Sequence, residues 1–251
     1  MASVSLARTI FDESHDDFRE TVRSFVERHV VPHLDEWAEA GRVDRGLFRE
    51  AAELGLLGIS APERFGGGGV DDFRYNAILI EELARVGATA VGMSITGFND
   101  LIAPYLVALG TDEQNERWLA PMIAGDTVGA IALTEPGTGS DLAAITTTAR
   151  PEGDHFVLTG AKTFISTGML ADVVIVAART DPDAGRGGIS LLCVETDLPG
   201  FSRSGPLKKV GLKAQDTAEL FFDEVRVPRS ALLGVEGGGW ASCATTSRRS
   251  A

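Results

Sequence analysis

The residues best placed to do chemistry gather at 131–140, which reads Ile-Ala-Leu-Thr-Glu-Pro-Gly-Thr-Gly-Ser and is followed by Asp141. An apolar run stops at Thr134 and breaks at Pro136 and Gly137. Such an ending leaves backbone N–H groups and two hydroxyls without ladder partners, and those are donors for a phosphate or a ring carbonyl. An ordinary strand end with a turn reads equally well. Glu135 and Asp141 have the types of a catalytic carboxyl pair, although capping or salt bridging is the commoner role for carboxylates flanking a turn. Ser140 does not sit in a Gly-x-Ser-x-Gly elbow, which argues against a hydrolase triad.

Other candidates are weaker. His29 and His33 stand four apart and supply half a metal site, but no third ligand is near and Pro32 disturbs the helix between them. A solvent-facing pair is the better reading. Lys208, Lys209 and Lys213 form a basic cluster in an acidic chain, either a solvated loop or a contact for a nucleotide phosphate. Four glycines at 66–69 lack the Gly-x-Gly-x-x-Gly pattern and the Gly-Lys-Ser/Thr ending of phosphate loops. They read as a flexible turn between helices.

Two kinds of element must position these groups. From 12 to 40 the apolar residues Phe18, Val22, Phe25, Val26 and Val30 follow a helical period, with a kink or split at Pro32 and a stop at Gly41. Asp44 caps a second helix with Leu47, Ala51 and Leu54 on one face, ending at Gly55. Asp71 and Asp72 cap a third, running to Val86 with Ala77, Ile80, Leu83 and Ala84 turned inward. An apolar, nearly uncharged stretch at 89–109 predicts a helix buried on most sides. Thr111 and Gln114 form a capping box for a helix over 112–123, with Trp118, Leu119 and Met122 on its face. After Asp126 the period becomes two. Strands are expected at 128–133, 145–149, 155–159, 162–166, 173–178, 189–194 and 218–227, separated by Gly, Pro and Asp turns. Short strands without intervening helices imply an antiparallel barrel or sandwich. The expected fold is therefore α+β in separate domains: all-α over 1–127, all-β over 128–237, and a short tail at 238–251.

The chain has 251 residues, 44% of them hydrophobic, enough to bury a core. Its net charge of -13 argues against nucleic acid or an anionic membrane surface as the main partner. Two cysteines, Cys193 and Cys243, make no disulfide framework, and no apolar run is long enough to span a membrane. Residues 1–10 carry no secretory pattern, so the cytoplasm is the expected compartment.

Three blocks carry a resemblance. Residues 134–141 resemble the signature of the acyl-CoA dehydrogenase family. Residues 160–166, Gly-Ala-Lys-Thr-Phe-Ile-Ser, resemble the family's Gly-x-Lys-x-Trp/Phe-Ile-Thr/Ser strand. Residues 211–228, Gly-Leu-Lys-Ala-Gln-Asp-Thr-Ala-Glu-Leu-Phe-Phe-Asp-Glu-Val-Arg-Val-Pro, look like the long-chain branch of that family, as do 10–37 and 54–69. The likeness runs in order from Ala7 to Trp240. It implies a flavoenzyme that binds FAD and converts an acyl-CoA thioester to a trans-2-enoyl-CoA. It also implies an electron-transfer flavoprotein as electron acceptor and a homo-oligomer at full length. A glutamate takes the α proton, a hydride leaves the β carbon, and hydrogen bonds to the thioester carbonyl strengthen as charge develops there.

Carried over by position, the resemblance implies that Ile131, Leu133 and Thr134 lie along the flavin ring. Gly139 and Ser140 fall near the FAD diphosphate and the CoA moiety, with Ser140 as the substrate contact. Phe164, Ile165 and Ser166 cover the other face of the ring. Phe164 stands where many members have Trp, keeping the stacking surface and losing the indole N–H. In the helix over 89–109, Gly92, Gly97 and Ala103 leave room for an acyl chain, or allow close helix packing.

The family's second helical domain and its catalytic Glu are expected beyond Trp240 and are absent from this sequence. Residues 241–251 show neither a helical period nor family likeness. A family-like continuation, Phe-Leu-Arg-Asp-Asn-Leu-Pro-Gln-Glu-Arg-Leu, can be written in GC-rich codons. Read from its second base, it gives Ser-Cys-Ala-Thr-Thr-Ser-Arg-Arg-Ser-Ala, which is 242–251 in full. The expectation is a frameshifted reading of a longer gene, inert or impaired as printed. A non-redox acyl-CoA or flavin-binding module and a nonfunctional fragment are the alternatives.

Overall fold

Asp12 opens the first helix. Its carboxylate accepts from the N–H groups of Ser14 and His15, while its own N–H donates to His15 Nδ1, a reciprocal cap. The computed structural model describes residues 8–246, with side chains through Cys243. The start of the family likeness at Ala7, most of the leader reading and the last residues of the shifted-frame tail lie outside that range.

Helix α1 (Glu13–Phe25) runs into a π-helical turn at Val26–Val30 and a 3-10 turn at Val31–His33, then α2 (Leu34–Ala40), so the helix is broken around Pro32 as expected. Gly41 closes it with φ 71°, a left-handed value that glycine adopts without strain. Helix α3 (Gly46–Glu53) buries Leu47, Phe48 and Ala51. Leu54 corrects the expected face: it follows the helix end and is exposed.

The glycine run corrects another expectation. Gly67 N–H donates to Pro62 O, Gly68 N–H to Gly58 O and Gly69 N–H to Ala61 O, so the segment is pinned rather than flexible. A Cβ on Gly67 would come within 2.2 Å of the Ala61 carbonyl oxygen, so only glycine fits that close approach.

Helix α4 (Phe73–Arg85) buries Asn76, Ile78, Leu79, Glu82 and Leu83, while Ile80 and Ala84 are exposed. The expected face is rotated because two polar residues belong to the inward side. Asn76 accepts from Asn99, and Glu82 is held by Arg19, Arg23 and Arg85. Helix α5 (Thr89–Gly97), a π turn at Phe98–Ile102 and α6 (Ala103–Leu109) make one rod buried on most sides, as its low charge predicts, with Met93, Leu101 and Val107 left exposed. The capping box at Thr111 and Gln114 forms and opens α7 (Asp112–Gln114), which continues through Asn115–Leu119 into α8 (Ala120–Ile123).

Eight strands follow: β1 (Gly129–Ala132), β2 (Thr148–Glu152), β3 (His155–Ser166), β4 (Val173–Arg179), β5 (Ile189–Glu195), β6 (Phe201–Arg203), β7 (Thr217–Pro228) and β8 (Leu232–Leu233). Their order is β6-β7-β3-β2-β4-β5-β8, with β1 beside β4. Pairing is mostly antiparallel, and β4 meets β1 and β2 in parallel. The strand expected at 145–149 begins only at Thr148, because Leu142–Ala144 forms a 3-10 turn first. The two strands expected at 155–159 and 162–166 are one. An extra residue on β7 near Glu224 (φ 52°) keeps β3 in pairing past Thr159. Helix α9 (Gly239–Thr246) corrects the reading of a tail without helix, and Cys243 packs into the core. One core cluster joins helices and sheet, from Val22 through Val174 to Leu233.

Candidate functional site

Strand β1 carries the first wall. It lies beside β4 with Ile131 opposite Ile175. Period-two alternation turns Gly129, Ile131 and Leu133 to one side and Ala130 and Ala132 into the core. Ile131, Leu133 and Thr134 stay half-buried, which leaves an apolar strip open on one face. The chain then turns: Glu135 N–H donates to Thr138 O at 2.9 Å and Thr138 N–H to Glu135 O at 3.1 Å. The Thr138 hydroxyl donates to Asp141 O at 2.6 Å. Gly139 and Ser140 are exposed at the outer end of this turn, and a Cβ on Gly137 or Gly139 would meet nothing within 4 Å. The N–H and hydroxyl of Thr134, and those of Ser140, donate to no group among the described residues.

Strand β3 carries the second wall. Between Lys162 and Ile165 it holds one more residue than β7 opposite, a β-bulge. Phe164 sits at that bulge with φ 58°, and its ring is 67% exposed. A bulky residue held in the left-handed region and turned to solvent is uncommon; Leu212, with φ 51°, is the other large apolar residue of this kind among the described residues. Ser166 shares that exposure. Ile165 does not: it is buried in the core, so of the three residues expected to cover the ring it offers only its backbone.

The two walls are joined. Thr163 N–H donates to Thr134 O at 3.0 Å, and Lys162 Nζ donates to Leu133 O at 3.1 Å. Lys162 also pairs with Glu135 at 2.8 Å, and both side chains are buried. Burial alone would raise the Glu135 carboxyl, but donors from Lys162, Thr147 and Thr146 outweigh it and hold the group at about 2. Glu135 and Asp141 are therefore no acid–base pair. Asp141 is exposed on the far side of the turn, and Glu135 is locked inside. Lys162 stood in the Gly-x-Lys motif, but motif reading gave it no role. Its signal was positional: it alternates in phase with Phe156 and Leu158, both inward, so a lysine there calls for a buried carboxylate.

The remaining candidates resolve separately. His29 faces Glu50 at 3.3 Å and His33 faces Glu36 at 3.3 Å, so they do not converge. No group of three or more metal-ligating side chains forms among the described residues. Lys209 folds back onto Gln215 O and Thr217, leaving Lys208 and Lys213 exposed in the basic loop. No helix among the described residues is long and apolar enough to cross a membrane.

This geometry has counterparts. The acyl-CoA dehydrogenase N-terminal domain family matches residues 12–126, and the acyl-CoA dehydrogenase middle domain family matches 130–225. The chain belongs to the acyl-CoA dehydrogenase family. It is 48% identical over 235 residues to the mitochondrial long-chain specific acyl-CoA dehydrogenase of Sus scrofa, covering 93% of this chain and 54% of that relative. An acyl-CoA dehydrogenase structure from Geobacillus kaustophilus superposes with TM-score 0.90 at 43% identity, over 96% of this chain and 63% of that one. A structure of acyl-CoA dehydrogenase complexed with FAD, from Bacillus anthracis, gives TM-score 0.87 at 32% identity, over 96% of this chain and 41% of that one. The chain spans about half the length of the curated relatives it matches, 54% for the porcine protein.

Proposed function

We propose that this chain is the flavin- and acyl-CoA-holding part of an acyl-CoA dehydrogenase, whose reaction is α,β-dehydrogenation of a thioester to a trans-2-enoyl-CoA. The observation that carries this reading is the pairing of the open Leu133–Thr134 edge with the exposed, left-handed Phe164 across Thr163. The strip of Ile131 and Leu133 and the Phe164 ring suit a planar aromatic ligand, and the donors of Thr134 suit its polar edge. FAD fits these groups and, when bound, supplies the hydride acceptor.

The chain's own residues have definite tasks. Ile131, Leu133 and Phe164 exclude water from the ring. The Thr134 N–H and hydroxyl, with Ser166, orient its heteroatoms. Gly139 and the Ser140 N–H and hydroxyl meet the diphosphate and the thioester substrate where the open turn lets them approach. No side chain gathered here serves as the α-proton base, because Glu135 is committed to Lys162. The reading takes that base from the downstream segment implied by the shifted frame at 242–251. The electron acceptor is an electron-transfer flavoprotein, and the full-length protein is a homo-oligomer. Free thiols at Cys193 and Cys243 suit the cytoplasm.

The commitment of Glu135 also favours a second reading, a module that binds flavin or acyl-CoA without turnover. Two measurements separate them. Titration of the full chain with FAD should give saturable quenching of flavin fluorescence. The gene with its frame restored after codon 241 should then form enoyl-CoA with an artificial electron acceptor. No flavin binding sinks the first reading and leaves the second only as an acyl-CoA binder; binding without turnover in the restored protein leaves the second.

A further inference from the structure

We propose that Glu135 and Lys162 act as a positioning pair, a cross-brace that fixes the two walls of the flavin slot relative to each other. This rests on the flavin reading above and extends it to residues that touch no ligand.

A buried ion pair is a weak source of stability, because the desolvation of two charges offsets much of their attraction. Lys162 is 0% exposed on an otherwise apolar register of β3, where Met or Leu would pack. What an apolar pair cannot supply is direction. Lys162 Nζ donates to Leu133 O at 3.1 Å and to Glu135 Oε1 at 2.8 Å, one on each side of Thr134. The carboxylate takes three further bonds. Thr147 N–H reaches Oε1 at 2.9 Å, while Thr146 N–H and Thr146 Oγ1 reach Oε2 at 2.6 and 2.7 Å. Three separate segments thus meet at one point: the turn after β1, the lead-in to β2, and the middle of β3.

The brace lies one residue after Thr134 and two before Phe164. Glu135 follows Thr134, and Thr163 both donates to Thr134 O and precedes Phe164. Phe164 holds a left-handed backbone that persists only where its surroundings over-determine it. The pair does that from one side and the bulge against β7 from the other. Removing the cation takes a donor from Leu133 O and from the Glu135 carboxylate, on either side of Thr134, so Thr163 N–H to Thr134 O is left as the link between the walls and their gap is set less firmly.

The test uses the full chain with Lys162→Met, the double variant Glu135→Gln/Lys162→Met, and Val227→Ala as a core-destabilised control at the far end of β3 and β7. The double variant covers the case in which the lone buried carboxylate prevents folding. In flavin-free protein, amide exchange at Thr146 and Thr147, which donate to Glu135, and at Thr163, which donates to the neighbouring Thr134 O, should accelerate together by roughly tenfold or more relative to β5 in both pair variants, as loosening of the point where the three segments meet requires. FAD should bind roughly tenfold more weakly to both pair variants, with loss of the fine structure of its absorption band, and within about twofold of wild type to Val227→Ala. Wild-type exchange at those three amides, or flavin binding and spectra matching the control, would overturn the proposal. If wild-type protein shows no saturable flavin binding, the functional reading falls, and the exchange data alone then decide whether the brace exists.

Discussion

Protonating Glu135 is the mildest way to cut the brace. The carboxyl sits at about 2 against an ordinary 4.5, so its contribution to stability is complete above 4.5 and fades as pH falls through about 2. Urea denaturation at about pH 5 and about pH 3 should show the unfolding free energy falling, and Glu135→Gln should flatten that limb. Glu82 contributes in the same window. Burial would raise it, but Arg23, Arg19 and Arg85 hold it at about 2. Glu82→Gln therefore removes a separate share, and the two substitutions should add, since they lack shared partners. At this scale the sequence spoke through position rather than motif. The Thr134–Ser140 signature stood out because its residues are adjacent. Lys162 did not, because its partner is 27 residues away and only the fold brings them together.

Turns and caps carry the next level. Thr111 accepts from Gln114 N–H, and Gln114 returns the bond to Thr111 N–H. Gln114 also donates to Ser230 O and Leu232 O at 2.8 and 2.9 Å, tying the helical half to the sheet. Thr111→Ala should cost about 1 kcal/mol as a lost cap. Gln114→Ala should cost about 2–3 kcal/mol, because it also leaves two carbonyls without a donor, as thermal melts would register. The glycine run makes a sharper contrast. Gly67→Ala drives a Cβ into the Ala61 carbonyl and should cost well over the roughly 1 kcal/mol expected of Gly55→Ala, whose site is open. Equal melting temperatures for the two variants would contradict that packing. The caps at Asp72 and Thr111 were legible because a cap is local. The inward face of α4 was not, because Asn76 and Glu82 are buried by partners on other helices.

For the molecule as a whole, charge sets how ligands arrive. The chain carries -13, and the flavin diphosphate is itself anionic, so long-range repulsion opposes encounter. On the proposed reading, FAD association followed by stopped flow should speed up as salt rises from about 20 to about 200 mM and screening shortens the range. Slower association with salt would instead mean that Lys208 and Lys213 steer the ligand locally. Ion pairs and a shared core tie the helical half to the sheet. Arg45 reaches Leu170 O at 2.8 Å and Asp172 at 2.6 Å, and Arg117 meets Glu195 at 2.7 Å across the same seam. The change of period after Asp126 announced a helical half followed by a sheet. The seam itself could not be read, because each contact pairs residues far apart in sequence.

The backbone at Phe164 has one more consequence. A phenylalanine there works against its own torsion preference, whereas glycine would adopt φ 58° freely. Phe164→Gly should therefore leave the empty protein as heat-resistant as the parent, or more so, since little packing is lost with a ring 67% exposed. On the proposed reading, the same change should abolish the rise in melting temperature expected of the parent with saturating FAD. Durability and ligand capture would then be opposed at a single side chain, and a screen for thermal tolerance alone would select against the ring.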